Sequence, residues 1–227
     1  DELVDDQAAF IRAATTAGFS RTDDHNHPAS SGVGPLPLNN PDGVRWSTAI
    51  GYLTMARDRQ NFTISPDSHT TRILFNDKRA VGVEYLKGGV SRQVNAKEIV
   101  LSAGSIGSPH LLMLSGIGPA AQLEAAGITV VNDMPGVGQN LRDHPSVHVR
   151  WSADDNFSMP DVKIDPQKVA LRYTARGSPF RNDMIAVMRW NSPKREFMMS
   201  AGLYLAKASG ELRLDTSDPY RQPLLDY

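Results

Sequence analysis

Cysteine is absent from all 227 residues. That excludes disulfides, thiolate nucleophiles, cysteine-based zinc ribbons and attachment of a prosthetic group through sulfur. An excess of one charge is lacking too: 24 Lys and Arg face 25 Asp and Glu, for a net charge of −1, and the isoelectric point is near 6.7. No basic field is available to attract nucleic acid or an anionic lipid surface. No apolar run approaches the ~18 residues of a membrane span. The acidic opening DELVDDQ has neither an initiator Met nor an apolar stretch, so it does not read as a signal peptide, and RQPLLDY carries no anchor or retention motif. Both ends read as cut from a longer chain, and the expected setting is soluble, cytoplasmic rather than secreted. The N-x-S/T triplets at Asn61 and Asn156 are given no weight on their own.

The remaining composition is that of a globular protein, 40% hydrophobic and 22% charged, long enough for one or two domains with a sizeable core. Leu3, Phe10, Ile11 and Ala14 share one helical face, which predicts a helix over residues 3–17 stopped by Gly18. The polar stretch from Ser20 to Asp42, with four prolines, predicts a packed or functional loop, and Ser47 to Ala56 a short helix. Strands are predicted at Phe62–Ser65, Thr71–Phe75 and Ala80–Leu86, the last two joined by a turn at Asn76-Asp77-Lys78, and again at the end of Val94–Ser102. A helix is expected from Ser108-Pro109 to Leu114, a shorter one over Pro119–Ala126, and a strand over Ile128–Val131. After a soft boundary near residue 146, VHVRWSA, MIAVMRW, MSAGLYLA and GELRLD read as strands of one antiparallel sheet with a wet face.

Several patterns bear on chemistry. Gly116-Ile117-Gly118-Pro119-Ala120-Ala121 satisfies G-x-G-x-x-G/A, and the strand-like ITVV beyond it leads to Asp133. A true dinucleotide fingerprint follows a strand and opens a long helix. Here a Leu/Met-rich, helix-favouring segment precedes it, so the glycines read instead as a helix C-terminus and turn. Asp23, Asp24, His25 and His27 cluster, but H-x-H fits neither a metalloprotease helix nor a closed zinc site, and they read as loop or cap residues; no metal is expected. The eight methionines read as core filling. A strand ending in Ser102-Ala103-Gly104 puts small residues where backbone can approach a ligand closely, or simply lets the strand turn tightly into the next helix.

GSIGSPHLLMLSGIG (Gly104–Gly118) and PGVGQNLRDHP (Pro135–Pro145) together resemble the second signature and following loop of the glucose–methanol–choline oxidoreductases, flavoenzymes that oxidise alcohols on FAD. GVRWSTAIGYL (Gly43–Leu53), RAVGVEY (Arg79–Tyr85) and GELRLDTSDPYRQPLLDY (Gly210–Tyr227) extend the resemblance over nearly the whole chain. It implies a fold of α/β plus α+β class: part of an FAD/NAD(P)-binding-type domain with an antiparallel-sheet substrate domain. Residues 1–146 would form a partial FAD-binding domain whose first ~58 residues lie on the substrate side, and residues 147–227 a partial substrate-binding domain. By the same resemblance Ser102, Ala103 and Gly104 lie near the adenosine of FAD, Thr70 sits where the family grips adenine through backbone, and Asn140, Asp143 and His144 form a loop near the flavin, with Asp143 and His144 able to pair.

The activity implied is oxidation of CH–OH groups, with hydride passing to FAD and a histidine as base. Neither the family's FAD-phosphate motif nor its catalytic histidine is found, so no catalytic residue is named. The partners expected are a small-molecule alcohol and the missing remainder of the fold or a second copy of the chain, with no nucleic acid and no membrane span. A non-catalytic orphan module, or a lyase of the same family, stays open as the alternative.

Overall fold

The computed structural model describes residues 3, 5–154, 156–157, 168–191 and 194–227. In chain order the elements begin α1 (Asp5–Thr16), β1 (Gly32–Pro35), α2 (Thr54–Ala56), β2 (His69–Asn76), β3 (Arg79–Lys87), β4 (Val90–Asn95), α3 (Gly104–Leu114), β5 (Ile117–Gly118) and α4 (Ala120–Ala125). They continue with β6 (Asn132–Asp133), β7 (Gln139–Leu141), β8 (Ser146–Ser152), β9 (Val169–Tyr173), β10 (Met184–Asn191), β11 (Glu196–Leu203), β12 (Gly210–Arg213) and β13 (Leu224–Asp226). Among the described residues the sheets are antiparallel except for the short β5–β6 pair.

The chain divides into two compact units, each assembled from separated segments: Asp1–Phe62 with Asp143–Ala206, and Thr63–Arg142 with Lys207–Tyr227. Each unit thus combines an earlier and a later segment of the chain. A strand's neighbours are fixed by pairing rather than by adjacency in sequence, and here the chain passes from one unit to the other three times.

The first unit is a five-stranded antiparallel sheet in the order β1-β9-β10-β11-β8. Phe10, Ile11 and Ala14 of α1 bury their side chains with Val33, Val169, Leu171 and Ala186. Burying a large apolar side chain stabilises by about 1.5–3 kcal/mol. Trp151, Phe157, Trp190 and Phe197 form an aromatic cluster with ring centroids 4.8–5.9 Å apart. Two of these strands are not evident in the sequence. β1 is written Gly-Val-Gly-Pro, a turn-like composition. It pairs because the backbone at Ser20–Thr22 lies against it, so close that a Cβ on Gly32 or Gly34 would fall within about 2 Å of a Ser20 or Thr22 carbonyl oxygen. β9 carries no strand signal beyond a few apolar residues. The packed-loop expectation for residues 20–42 is met by that backbone contact and by His25, which is buried.

The second unit holds β2-β3-β4, β13-β12-β7 and the β5–β6 pair. Its core is Met113, Leu114, Leu123, Leu212 and Leu214, with α3 against β2, β5 and β12. β12 thus belongs to a separate sheet from β8, β10 and β11, not to the one sheet expected; its alternation is real, with Leu212 and Leu214 buried and Arg213 exposed. The β2–β3 hairpin turns on Asp77, at φ 51°, as the sequence predicts. The methionines only partly serve as core: Met113 and Met198 are buried, Met55 is exposed, and Met159 lies outside the described residues.

Three expected strands are not strands: Phe62–Ser65, residues 99–102 and Ile128–Val131. β-branched content makes a segment strand-like, but strand status needs a partner ladder. Val100 is 87% exposed, an apolar residue on a segment without a ladder among the described residues. Helix α3 starts at Gly104 rather than at Ser108, which leaves Pro109 inside it.

One buried side chain joins α3 to β2. Ser115 Oγ donates to the Leu111 carbonyl at 2.6 Å and accepts the Ile73 N–H at 2.8 Å. Ile73 lies on an edge strand, so this hydroxyl satisfies a backbone donor that the sheet leaves unpaired. Replacing Ser115 by Ala is expected to cost about 1–3 kcal/mol through the orphaned amide. Chemical denaturation checks this, and an unchanged midpoint would show that water replaces the hydroxyl.

Candidate functional site

In the second unit a cavity of about 660 Å³ opens between the start of β2, residues 96–103 and α3. Thr70, Ser102 and Ala103 line it together, and Gly104, expected beside them, does not. The corner is built by backbone. Gly104 takes φ +82°, a left-handed conformation that glycine adopts freely, and a Cβ placed there would meet nothing within 4 Å. Glycine at 104 therefore serves the turn, while the small residues beside it keep the cavity mouth clear. The Ala103 N–H donates to Ser108 Oγ at 3.1 Å, which ties the corner to the first turns of α3.

The same cavity brings in three side chains that the sequence alone does not single out: His69, Glu98 and His110. His69 is held in place by stacking on Tyr220, with centroids 4.9 Å apart and planes 11° apart, and its Nε2 lies 3.2 Å from the Pro219 carbonyl oxygen. His110 sits on α3, half-buried. Burial lowers its pKa below the usual histidine value, and the neighbouring His69 charge lowers it further. The available signal is the position of His110 within the signature itself, at SPHLL. A second cavity of about 530 Å³, with Thr71, Phe75, Glu84 and Thr129 in its wall, lies in the same unit and contains none of the expected site residues.

The other expected residues are elsewhere. Asn140, at φ 62°, belongs to the second unit but does not line the cavity. Asp143 and His144 belong to the first unit. There Asp143 Oδ1 accepts the backbone N–H of His144 at 2.7 Å, and the His144 ring stacks on Tyr204 at 4.1 Å. The Asp143 contact is thus to the backbone of His144 rather than to its ring. In the early loop, Asp24 Oδ1 and His27 Nδ1 accept backbone N–H groups of Asn26 and Ala29 as cap residues do. His25 instead turns inward, its Nε2 3.1 Å from the carbonyl oxygens of both Gly34 and Ala170.

The family model described as GMC oxidoreductase matches residues 3–146. The chain belongs to the GMC oxidoreductase family. An oxygen-dependent choline dehydrogenase of Photobacterium profundum is 47% identical over 66% of this chain and 27% of its own length. An uncharacterised GMC-type oxidoreductase of Rhodococcus erythropolis is 34% identical over the whole chain and 46% of its length. The crystal structure of pyridoxine 4-oxidase from Mesorbium loti superposes with a TM-score of 0.90 at 28% identity, covering 100% of this chain and 47% of that one. The chain therefore spans less than half the length of these relatives. The fold is mixed α/β with antiparallel sheets, that of the FAD-binding GMC oxidoreductases.

FAD is the cofactor of this family. Of the residues at the 102–104 corner, Ser102 and Ala103 line a cavity with a largely apolar wall, a lining with which an uncharged nucleotide base is chemically compatible. The G-x-G-x-x-A run at Gly116 does not compete for it. Asp133 Oδ1 accepts the Ala120 N–H at 3.0 Å, so a carboxylate already caps the helix end where a diphosphate would sit. Met113 and Val131 crowd the positions where a Cβ would stand on Gly118 and Gly116, which marks both glycines as packing residues. Replacing Asp133 by Ala is expected to cost about 0.5–2 kcal/mol, as loss of an N-terminal cap does, and to leave the affinity for ADP-ribose unchanged. Parallel melting and calorimetry check both halves; tighter binding of ADP-ribose, through the amide that the carboxylate vacates, would restore the run as a phosphate site.

Proposed function

We propose that the chain is the central part of an FAD-dependent enzyme that oxidises CH–OH groups of small alcohols. The unit containing residues 63–142 holds the adenosine end of the cofactor, and the unit containing the five-stranded sheet is its substrate side. Bound FAD supplies a hydride acceptor. In this reading the main chain at Ser102 and Ala103, together with Thr70, positions the nucleotide, and the corner shields one side of it from water. Asn140, Asp143 and His144 are carried over from the resemblance as residues toward the flavin. Held by Tyr204, the His144 ring has a fixed orientation, which a group that tunes a neighbouring charge requires. No histidine of this chain is assigned as the base. The remaining length seen in the relatives supplies that group and completes the fold, which accounts for exposed apolar residues such as Val100. A choline dehydrogenase and a pyridoxine 4-oxidase among the relatives support an alcohol as donor.

The observation that carries this reading is the open small-residue corner at one mouth of the cavity. Ala103→Trp would fill that mouth with a side chain bearing roughly 100 Å² more surface. Ala103 is exposed, so the substitution disturbs no core. FAD affinity, followed by flavin fluorescence, is expected to fall by roughly tenfold or more, about 1.4 kcal/mol, while the thermal midpoint holds. Equal affinity in the two proteins would remove the cavity from nucleotide binding.

A further inference from the structure

The wall of the cavity discriminates between the two ends of a nucleotide. Ile73, Val83, Ile99, Leu101, Leu111 and Leu114 make it apolar, and among the described residues no Lys or Arg lines it. Glu98 is its carboxylate, and His69 and His110 are its other titratable groups. A diphosphate placed here would lose hydration without gaining a permanent cation. A flat, uncharged ring would not, provided its polar edge finds partners.

His110 can be such a partner. It lines the cavity from α3, and burial, with the neighbouring His69, lowers the pKa of its half-buried ring and so favours the neutral form. A neutral imidazole has one N–H donor and one bare acceptor nitrogen. Adenine offers the complement, an amino donor beside ring-nitrogen acceptors. His69 approaches from β2 and Glu98 from the 96–103 segment. From β12, which also packs on α3, Glu211 and Arg213 pair with each other at 3.2 Å and do not line the cavity.

We propose that His110 recognises the purine of the nucleotide in its neutral imidazole form, so that nucleotide binding weakens when that ring takes up a proton. The inference rests on the nucleotide reading above and adds a recognition residue and a pH dependence to it. Its sign follows from linkage. A purine that covers His110 removes water from the ring and disfavours the imidazolium. The ligand therefore prefers the neutral form. Affinity is flat where His110 is neutral in the free chain and falls, by at most about tenfold per pH unit, as acid protonates it.

The 227-residue chain is titrated calorimetrically with adenosine and with ADP-ribose at about pH 8 and about pH 5.5, on either side of the ordinary histidine range. ADP-ribose is chosen because its phosphates form a diester and do not titrate in that range. Both ligands are expected to bind more weakly at the lower pH, by less than the roughly tenfold that an unshifted histidine would give. His110→Gln, neutral throughout, is expected to bind with nearly the same affinity at both. In the unsubstituted chain the NMR titration midpoint of the His110 ring is expected to move down when adenosine is added, a shift that a purely structural histidine would not show. Adenosine affinity independent of pH, a pH dependence that survives His110→Gln, or an unmoved midpoint would each overturn the proposal. So would ADP-ribose binding more tightly in acid while adenosine is indifferent, because the phosphates would then lie beside the histidines. No binding of either ligand at any pH overturns the nucleotide reading itself, and this inference with it.

Discussion

A buried hydroxyl fixes the geometry on which the nucleotide reading depends. Ser115 Oγ bonds at once to the backbone of α3 and to the outer edge of β2, and these two elements carry His110, Thr70 and His69 into one cavity. An edge strand normally presents unpaired amides that invite another strand. Here one of those amides is bonded to a serine at the end of a helix, so the β2 edge becomes a wall instead of a docking edge. The Ser-Gly pair at 115–116 is part of the signature, and the structure gives it a mechanical meaning. Ser115 seats the helix on the strand, and Gly116, at φ 87°, lets the chain turn back where a Cβ would meet the Thr129 carbonyl.

What the sequence makes legible is what depends on local chemistry. The signature, the β2–β3 hairpin with its Asp77 turn, the face of α1 and the helix C-terminus and turn just before Ile117 all follow from residues within a few positions of one another. The corner at 102–104 is legible for the same reason, since small residues and a glycine at a turn are a local device. Pairing is not legible. Among the described residues Phe62–Ser65 and residues 99–102 have strand composition and no ladder, while the Gly-Val-Gly-Pro of β1 has turn composition and a full one. In each case the outcome is decided by backbone distant in sequence. Alternation puts β12 in the wrong sheet on the same grounds, because it reports one wet face and says nothing about which strands lie alongside.

The candidate site divides in the same way. Thr70, Ser102 and Ala103 meet in one cavity although 32 positions separate the first two, because the signature and the strand before the hairpin belong to one packed unit. Asp143 and His144 follow Asn140 closely in sequence but belong to the other unit, where the His144 ring has Tyr204 as its partner. His69 and His110 are inconspicuous in sequence because a histidine at the start of a strand-like run, or within a helix, carries no pattern by itself. They become informative only once β2 and α3 are packed together.

The chemistry of the cavity wall also bears on how a charged cofactor is shared out along a family-length chain. The cavity has no Lys or Arg among the described residues, the Ala103 N–H is taken by Ser108, and the N-terminus of α4 is taken by Asp133. Each is a place where a nucleotide's diphosphate could have found compensation, and each is closed. An anion left without a cation or a set of free amides would bear the full cost of desolvation. On the proposed reading, the piece of the fold seen here takes the uncharged end of the cofactor. In this reading the charged middle is met by backbone amides outside these 227 residues. The two parts then have different physical roles, with apolar walls and a neutral imidazole on this side and a dipole-rich turn on the other. On the proposed reading, tight binding of the complete nucleotide requires both parts, whereas the purine end alone is within reach of this one.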